Sequence, residues 1–370
     1  MSRLVLALAG IAIAPAALLA APVFDARHLP PGLFPAGTEI EGIAINHHGE
    51  VAGAVRTIGQ GFRWSAADGV QFLQDLPGGV RWVVPVGIDD AGRIAGLGSV
   101  PDIQYPTFSG SRATVWGRDN LPHDLQPLLG HARWPDPNSY AYALNQQGAV
   151  SVLVFSGSQQ QAYVLDATGH RRPLPGGFLP FHLNDLGMTA GIANNGGVQT
   201  IAAVADASGH VTRIPQLDDA RALNNAGTVV GYQTRGNDWV PGVWDAKRGA
   251  RDLPILAGTT SCWPMALNND GVAVGWCAAT AVFGADQHAV MWTPHGDGYT
   301  VHDLRTLTAA GGLYDDPPGC TYYPNGMNRE CHGEAAAAIN DAGQVLVNHH
   351  WRGQGDGVHL RMEPVVLTPR

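Results

Sequence analysis

A ten-residue pattern recurs seven times along this chain, and no other feature constrains its fold as tightly. The copies are AINHHGEVAG at 44–53, GIDDAGRIAG at 87–96, ALNQQGAVSV at 143–152, HLNDLGMTAG at 182–191, ALNNAGTVVG at 222–231, ALNNDGVAVG at 266–275 and AINDAGQVLV at 338–347. Each reads small residue (His182 excepted), Ile or Leu, Asn or Asp, two free positions, Gly, then an apolar-alternating run. Copies begin 39 to 72 residues apart. A unit repeated at roughly forty residues implies a repeat architecture.

The Asn-x-x-Gly core is turn chemistry. Asn or Asp bonds the backbone at the start of a turn, and Gly takes the left-handed conformation at its end. A hairpin loop between two short antiparallel strands fits this spacing. The strand after the bend is β-branched and ends in Gly in five units (Gly53, Gly96, Gly191, Gly231, Gly275), with Val152 and Val347 departing. A third strand reaches Trp64, Trp116, Leu165, Trp244 or Trp292, and a fourth ends near a Leu-Pro-like signal. Gly, Asp, Asn and Pro bound these runs, as they bound strands. No segment carries a sustained helical period.

Four strands per unit and seven units predict an all-β fold, a seven-bladed β-propeller. The competing arrangements are two sandwiches or a solenoid. The seventh unit supplies three strands (335–339, 344–349 and 358–367), and VFDARHLPPG at 23–32 resembles the missing fourth. The N-terminal strand is therefore expected to close the last blade.

The whole of 22–370 is expected to be one propeller with a long insertion at 306–334. Residues 1–21 read as a secretory signal: a basic start, an apolar core and small residues before a cleavage point after Ala20 or Ala21. A retained anchor is the alternative; no later segment is apolar and long enough to cross a membrane. The protein is therefore expected to be exported, periplasmic or extracellular, and a monomer. Its formal charge of −9, with Lys247 the single lysine, offers no basic stripe for nucleic acid. Export makes disulfides the default for Cys262, Cys277, Cys320 and Cys331. Of three connectivities, Cys262–Cys277 with Cys320–Cys331 is preferred because each closes a short segment, although the register could place the first pair on opposite faces. Zinc is the alternative, but the spacings match no zinc pattern.

Length variation points to the functional face. The first bend of every unit is short, whereas insertions fall after strand two and between units, which share one rim of a propeller. Binding residues favour loops on a rigid scaffold. Candidate binding residues there are Tyr105, Trp134, Asp136, Trp239, Asp286, Tyr314, Asp315, Asp316, Tyr322, Tyr323, Arg329 and His332. Aromatics with a polar fringe suit sugar stacking or protein anchoring; the plainer reading of any one of them is loop packing. The recurring Trps read as inter-blade core, and the Asn slots as turn residues rather than ligands. His47–His48 and His349–His350 are expected on opposite rims.

No GxSxG, HExxH, P-loop or calcium-loop motif is present, so no catalytic residue, metal or cofactor is assigned. Carboxylates and histidines gathered from separate blades would leave no local motif. The leading reading is therefore a protein that binds a glycan or a protein partner. The alternatives are a hydrolase or lyase acting on a polysaccharide or cell-wall polymer, and a structural envelope protein.

The unit, with its x-Ala-x-x-Trp strand (His288 to Trp292) and the copies at 222–231 and 338–347, resembles the bacterial extracellular HAF repeat. No copy has a literal His-Ala-Phe triplet, and Leu165 and Ala205 replace the Trp in units three and four. The resemblance implies an exported bacterial repeat protein with a propeller-like fold, and carries no catalytic residues.

Overall fold

The computed structural model describes residues 24–29, 38–79, 82–101, 109–130, 138–156, 158–194, 200–279, 286–308, 313, 319–322, 329–354 and 358–370. For 101, 109, 156, 319–322, 329–331, 352–354 and 358–361 it describes the backbone alone. The proposed signal at 1–21 lies outside the described residues.

Seven antiparallel sheets follow one another along the chain, each a meander. The fold is a seven-bladed β-propeller. The innermost strands are Ile40–Ile45, Val84–Ile88, Asn138–Leu144, Phe178–Leu183, Asp219–Leu223, Ser261–Leu267 and Arg329–Ile339. The strand Phe24–His28 pairs antiparallel with Val358–Pro369, Phe24 opposite Pro369, and so completes the last blade. This sheet departs from the expected four strands in one respect. The innermost strand begins at Arg329 rather than 335, and Gly319–Tyr322 pairs with its first residues as a fifth strand. Part of the expected insertion is therefore a hairpin that extends the sheet. Among the described residues, helix is confined to single turns at Arg56–Ile58, Gln126–Leu129 and Leu304–Leu307, and no helix is long and apolar enough to cross a membrane.

Each blade interface holds its own apolar cluster. Ala52, Leu73, Val83, Ile88, Ile94 and Trp116 join the first two blades, and Val51, Phe62, Trp64, Leu346 and Val366 join the last to the first. Trp116 and Trp292 are fully buried and donate their indole N–H to the carbonyls of Gln74 and Pro254, each in the tail of the preceding blade. Trp244 is only partly buried but packs on the cluster between the fourth and fifth blades. Leu165 and Ala205 fill the corresponding space where the Trp is absent.

The recurring Gly four residues past the turn has a steric cause. Every innermost strand carries a register irregularity beside this position. A Cβ on Gly231 would lie 2.0 Å from the carbonyl oxygen of Asp219, and one on Gly191 1.8 Å from that of Leu179. In these blades the inner strand comes close enough to fill the space a side chain would need, whereas blades three and seven hold Val152 and Val347 beside the same irregularity.

Cys262 and Cys277 are bonded as a disulfide. They are direct cross-strand partners, so the register places them on one face. The backbones of Cys320 and Cys331 are also partners in the hairpin, but these side chains lie outside the described set.

Candidate functional site

In a meandering blade, the first bend and the third lie on one rim, and the connections after strand two and between blades lie on the other. Trp239, Asp286 and His332 are the candidate residues whose side chains are described. Tyr105, Trp134, Asp136, Tyr314, Asp315, Asp316 and Tyr323 lie outside the described residues, as do the side chains of Tyr322 and Arg329.

Trp239 opens the third strand of blade five and joins an aromatic cluster. Its ring meets Trp263 edge-on at 4.8 Å and Trp276 at 5.9 Å. Tyr232 stacks on Trp263 at 4.0 Å, and the Arg221 guanidinium lies 5.3 Å from the Trp263 ring centre. These contacts pack blade five on blade six around Trp263, which is itself partly exposed. Trp239 remains partly exposed at the edge. On the innermost strands of blades five and four, burial raises the Asp219 pKa despite the nearby Arg221 charge, and burial, then the Arg221 charge, lowers the His182 pKa to about 3. At the first two blades, Ile58 and Trp82 are 45% and 50% exposed. The Val83 N–H donates to the Gly59 carbonyl at 2.9 Å, tying these two connections together on the same rim.

Asp286 and His332 meet a polar cluster between blades six and seven. Asp286 takes a left-handed backbone, φ 57°, and the next residue's carbonyl accepts the Glu334 N–H at 2.7 Å. His288 Nδ1 lies 2.9 Å from Asp303 Oδ2, Arg305 pairs with Glu334, and the His332 ring lies 5.8 Å from that of His349. Burial, opposed by Arg305, raises the Glu334 pKa to about 7. A group near 7 suits proton transfer, but Glu334 is 0% exposed. A substrate cannot reach it as the chain is folded here, so the cluster reads as an inter-blade clasp.

A concave site lies on the opposite rim, where the seven Asn-x-x-Gly bends surround the axis. It is a cavity of about 160 Å³, built from two tiers of hydrogen bonds. In the lower tier, each slot side chain accepts the N–H four residues on: Asn145 from Ala149 at 2.8 Å, Asn184 from Met188 at 2.9 Å, Asn224 from Thr228 at 3.0 Å. Each Asn amide then donates to the slot carbonyl of the next blade. Asn46 donates to Asp89, Asn145 to Asn184, Asn184 to Asn224, Asn224 to Asn268, Asn268 to Asn340, and Asn340 back to Asn46. The Asp89 side chain has no N–H to give. Arg93 bonds its carboxylate at 2.6 Å and reaches the Gln146 carbonyl at 3.5 Å, spanning the same gap.

The upper tier uses the residue after each slot. The backbone N–H of His47 donates to Asp90, Asp90 to Gln146, Gln146 to Asp185, Asp185 to Asn225, Asn225 to Asn269, and Asn269 to Asp341, all side-chain oxygens at 2.7–2.9 Å. The His47 ring closes this tier, with Nδ1 2.6 Å from Asp90 and Nε2 3.2 Å from Asp341. Burial alone would lower the His47 pKa, but these two carboxylates outweigh it and raise it.

The slots are turn residues, as expected, and also connect the blades and line the axis. What the sequence reading missed is the position after the slot, taken as free. It holds His, Asp, Gln, Asp, Asn, Asn and Asp in the seven copies, each able to accept a hydrogen bond; that restriction was the available signal. His47 sits in this ring, whereas His350 lies in a buried strand beside Gly333, so the two histidine pairs do not share a site.

No family model matches the sequence, and neither does any curated protein. Solved structures do match. A streptogramin B lyase covers 94% of this chain and 98% of its own length at 11% identity, TM-score 0.52. Virginiamycin B lyase from Staphylococcus aureus covers 94% and 99% at 11% identity, TM-score 0.53. At this identity the likeness shows a shared fold alone.

Proposed function

We propose that the protein is an exported binding protein that engages a glycan or a protein through the insertion-rich rim. The observation that carries this reading is the pair of half-exposed apolar side chains, Ile58 and Trp82, held on two bonded connections of that rim. Trp239 adds a partly exposed ring on the same rim. Large amphipathic rings on rigid connections suit stacking against a sugar face or seating in a protein pocket. Export is supported by the Cys262–Cys277 disulfide and by the apolar leader at 1–21, which we assign to a secretory signal. The HAF-repeat resemblance supports the same reading.

The test is a thermal-shift screen of the mature protein against peptidoglycan fragments, polysaccharides and envelope proteins. A ligand that binds the native state raises the midpoint. The shift is expected to vanish in a folded Trp82→Ala, Trp239→Ala variant; a shift that survives both changes removes the rim from the account.

A further inference from the structure

The axial cavity on the opposite rim is a feature that the binding rim does not explain. Its floor is aliphatic, made by Ile45, Leu144, Leu183, Leu223, Leu267 and Ile339. Its collar mixes amides and carboxylates, among them Gln146, Asp185 and Asn225. Most of the exposed lining is polar, which suits a ligand rich in hydroxyl groups more than an apolar one.

We infer that this cavity is a second binding site, built for a single neutral cyclic polyol of monosaccharide size. Four observations define the ligand. The volume of about 160 Å³ is close to the roughly 150 Å³ of a hydrocarbon cavity that accepts one six-membered ring. The aliphatic side chains at its base offer a small apolar surface for C–H groups of such a ring. The collar holds both donors and acceptors, which hydroxyl groups need. Two of its members, Asp185 and Asp341, are carboxylates, which disfavours an anionic ligand.

The collar is also pre-organised. Asp185 accepts from the Gln146 N–H at 2.9 Å and from the Asn225 amide at 2.8 Å. A carboxylate offers about four acceptor positions, so Asp185 is fixed by its neighbours and still has capacity for a hydroxyl. Side chains already held in place lose little entropy when a ligand arrives. The site therefore needs no loop closure, and its affinity is independent of the aromatic rim.

The experiment is a methyl-detected NMR titration of the mature protein with D-glucose, D-galactose and D-mannose, and with D-glucuronate as an anion of similar size. The account expects saturable shifts of the Leu183, Leu223 and Leu267 methyls with at least one neutral sugar, and weaker ones with glucuronate. Asp185→Asn keeps an acceptor for the Gln146 N–H and is expected to weaken binding about tenfold. Trp82→Ala is expected to leave the titration unchanged, which separates this site from the rim. The wild-type titration stands on its own should Asp185→Asn fail to fold. No sugar-dependent shift at the floor methyls, equal shifts with glucuronate, or unchanged affinity in a folded Asp185→Asn protein would each overturn the inference.

Discussion

The side-chain amide of Asn340 donates to the backbone carbonyl of Asn46 at 2.7 Å, across 294 residues of sequence. It is the same bond that joins Asn184 to Asn224 and Asn224 to Asn268 inside the ring. The last and first blades are therefore held by this amide at the axis, by the apolar cluster between them and by the Phe24–His28 pairing at the outer edge. A closed ring turns seven marginal sheets into one cooperative unit, because no blade face is left uncovered.

The belt predicts the cost of changing one slot. Asn224→Asp keeps the acceptor for Thr228 N–H but loses the donor to Asn268 and buries a charge. Destabilisation of about 2–4 kcal/mol is expected in denaturant melts. Blade two contains the remedy, because Arg93 stands four residues after Asp89. Adding Thr228→Arg should therefore recover part of the loss. No recovery would mean that Arg93 does not substitute for the missing amide.

The Cys262–Cys277 bond closes a separation of 15 residues. Replacing both cysteines by alanine should cost about 3 kcal/mol, read from the shift in unfolding midpoint under oxidising conditions. An unchanged midpoint would show that the surrounding cluster alone fixes the hairpin.

His47 gives the ring a pH dependence. Its folded pKa is raised above the ordinary 6.5 by Asp90 and Asp341, which outweigh burial. The charged form is thus favoured by folding. Its contribution is fully present below about pH 6.5 and is lost as pH rises through the higher folded value. The stability gap between wild type and His47→Gln should be widest on the acid side and shrink in alkaline buffer. A gap that grows with pH would contradict the bridging role.

Glu334 has the opposite origin. Burial raises its folded pKa to about 7 from 4.5, against the pull of Arg305. Across that window the folded chain keeps a proton that the unfolded chain has released, so this group's contribution falls as pH rises. Glu334→Gln should remove that loss, so that wild type declines relative to the variant between those two values. Parallel pH profiles would mean that the carboxylate is ionised throughout.

Much of the fold was legible because one turn motif marked every blade, and local turn chemistry survives any tertiary context. The N-terminal closing strand could be found because the seventh unit lacked its fourth. The inner-strand bulge was not legible. It appears in sequence only as the Gly at 53, 96, 191, 231 and 275, whose cause lies on the neighbouring strand. The site was harder still. Loop length pointed to one rim, while the cavity formed on the other from residues 39 to 72 positions apart, none of which is unusual alone. His47, Gln146 and Asp185 become a collar only when the ring closes.

The most direct test of the binding account is amide hydrogen exchange of the mature protein with and without a ligand found by thermal shift. The account predicts protection at Arg56–Ile58 and at the turn joining Arg235 to Asp238, on the insertion-rich rim. Protection confined to the Asn-x-x-Gly bends, with that rim unchanged, would contradict it.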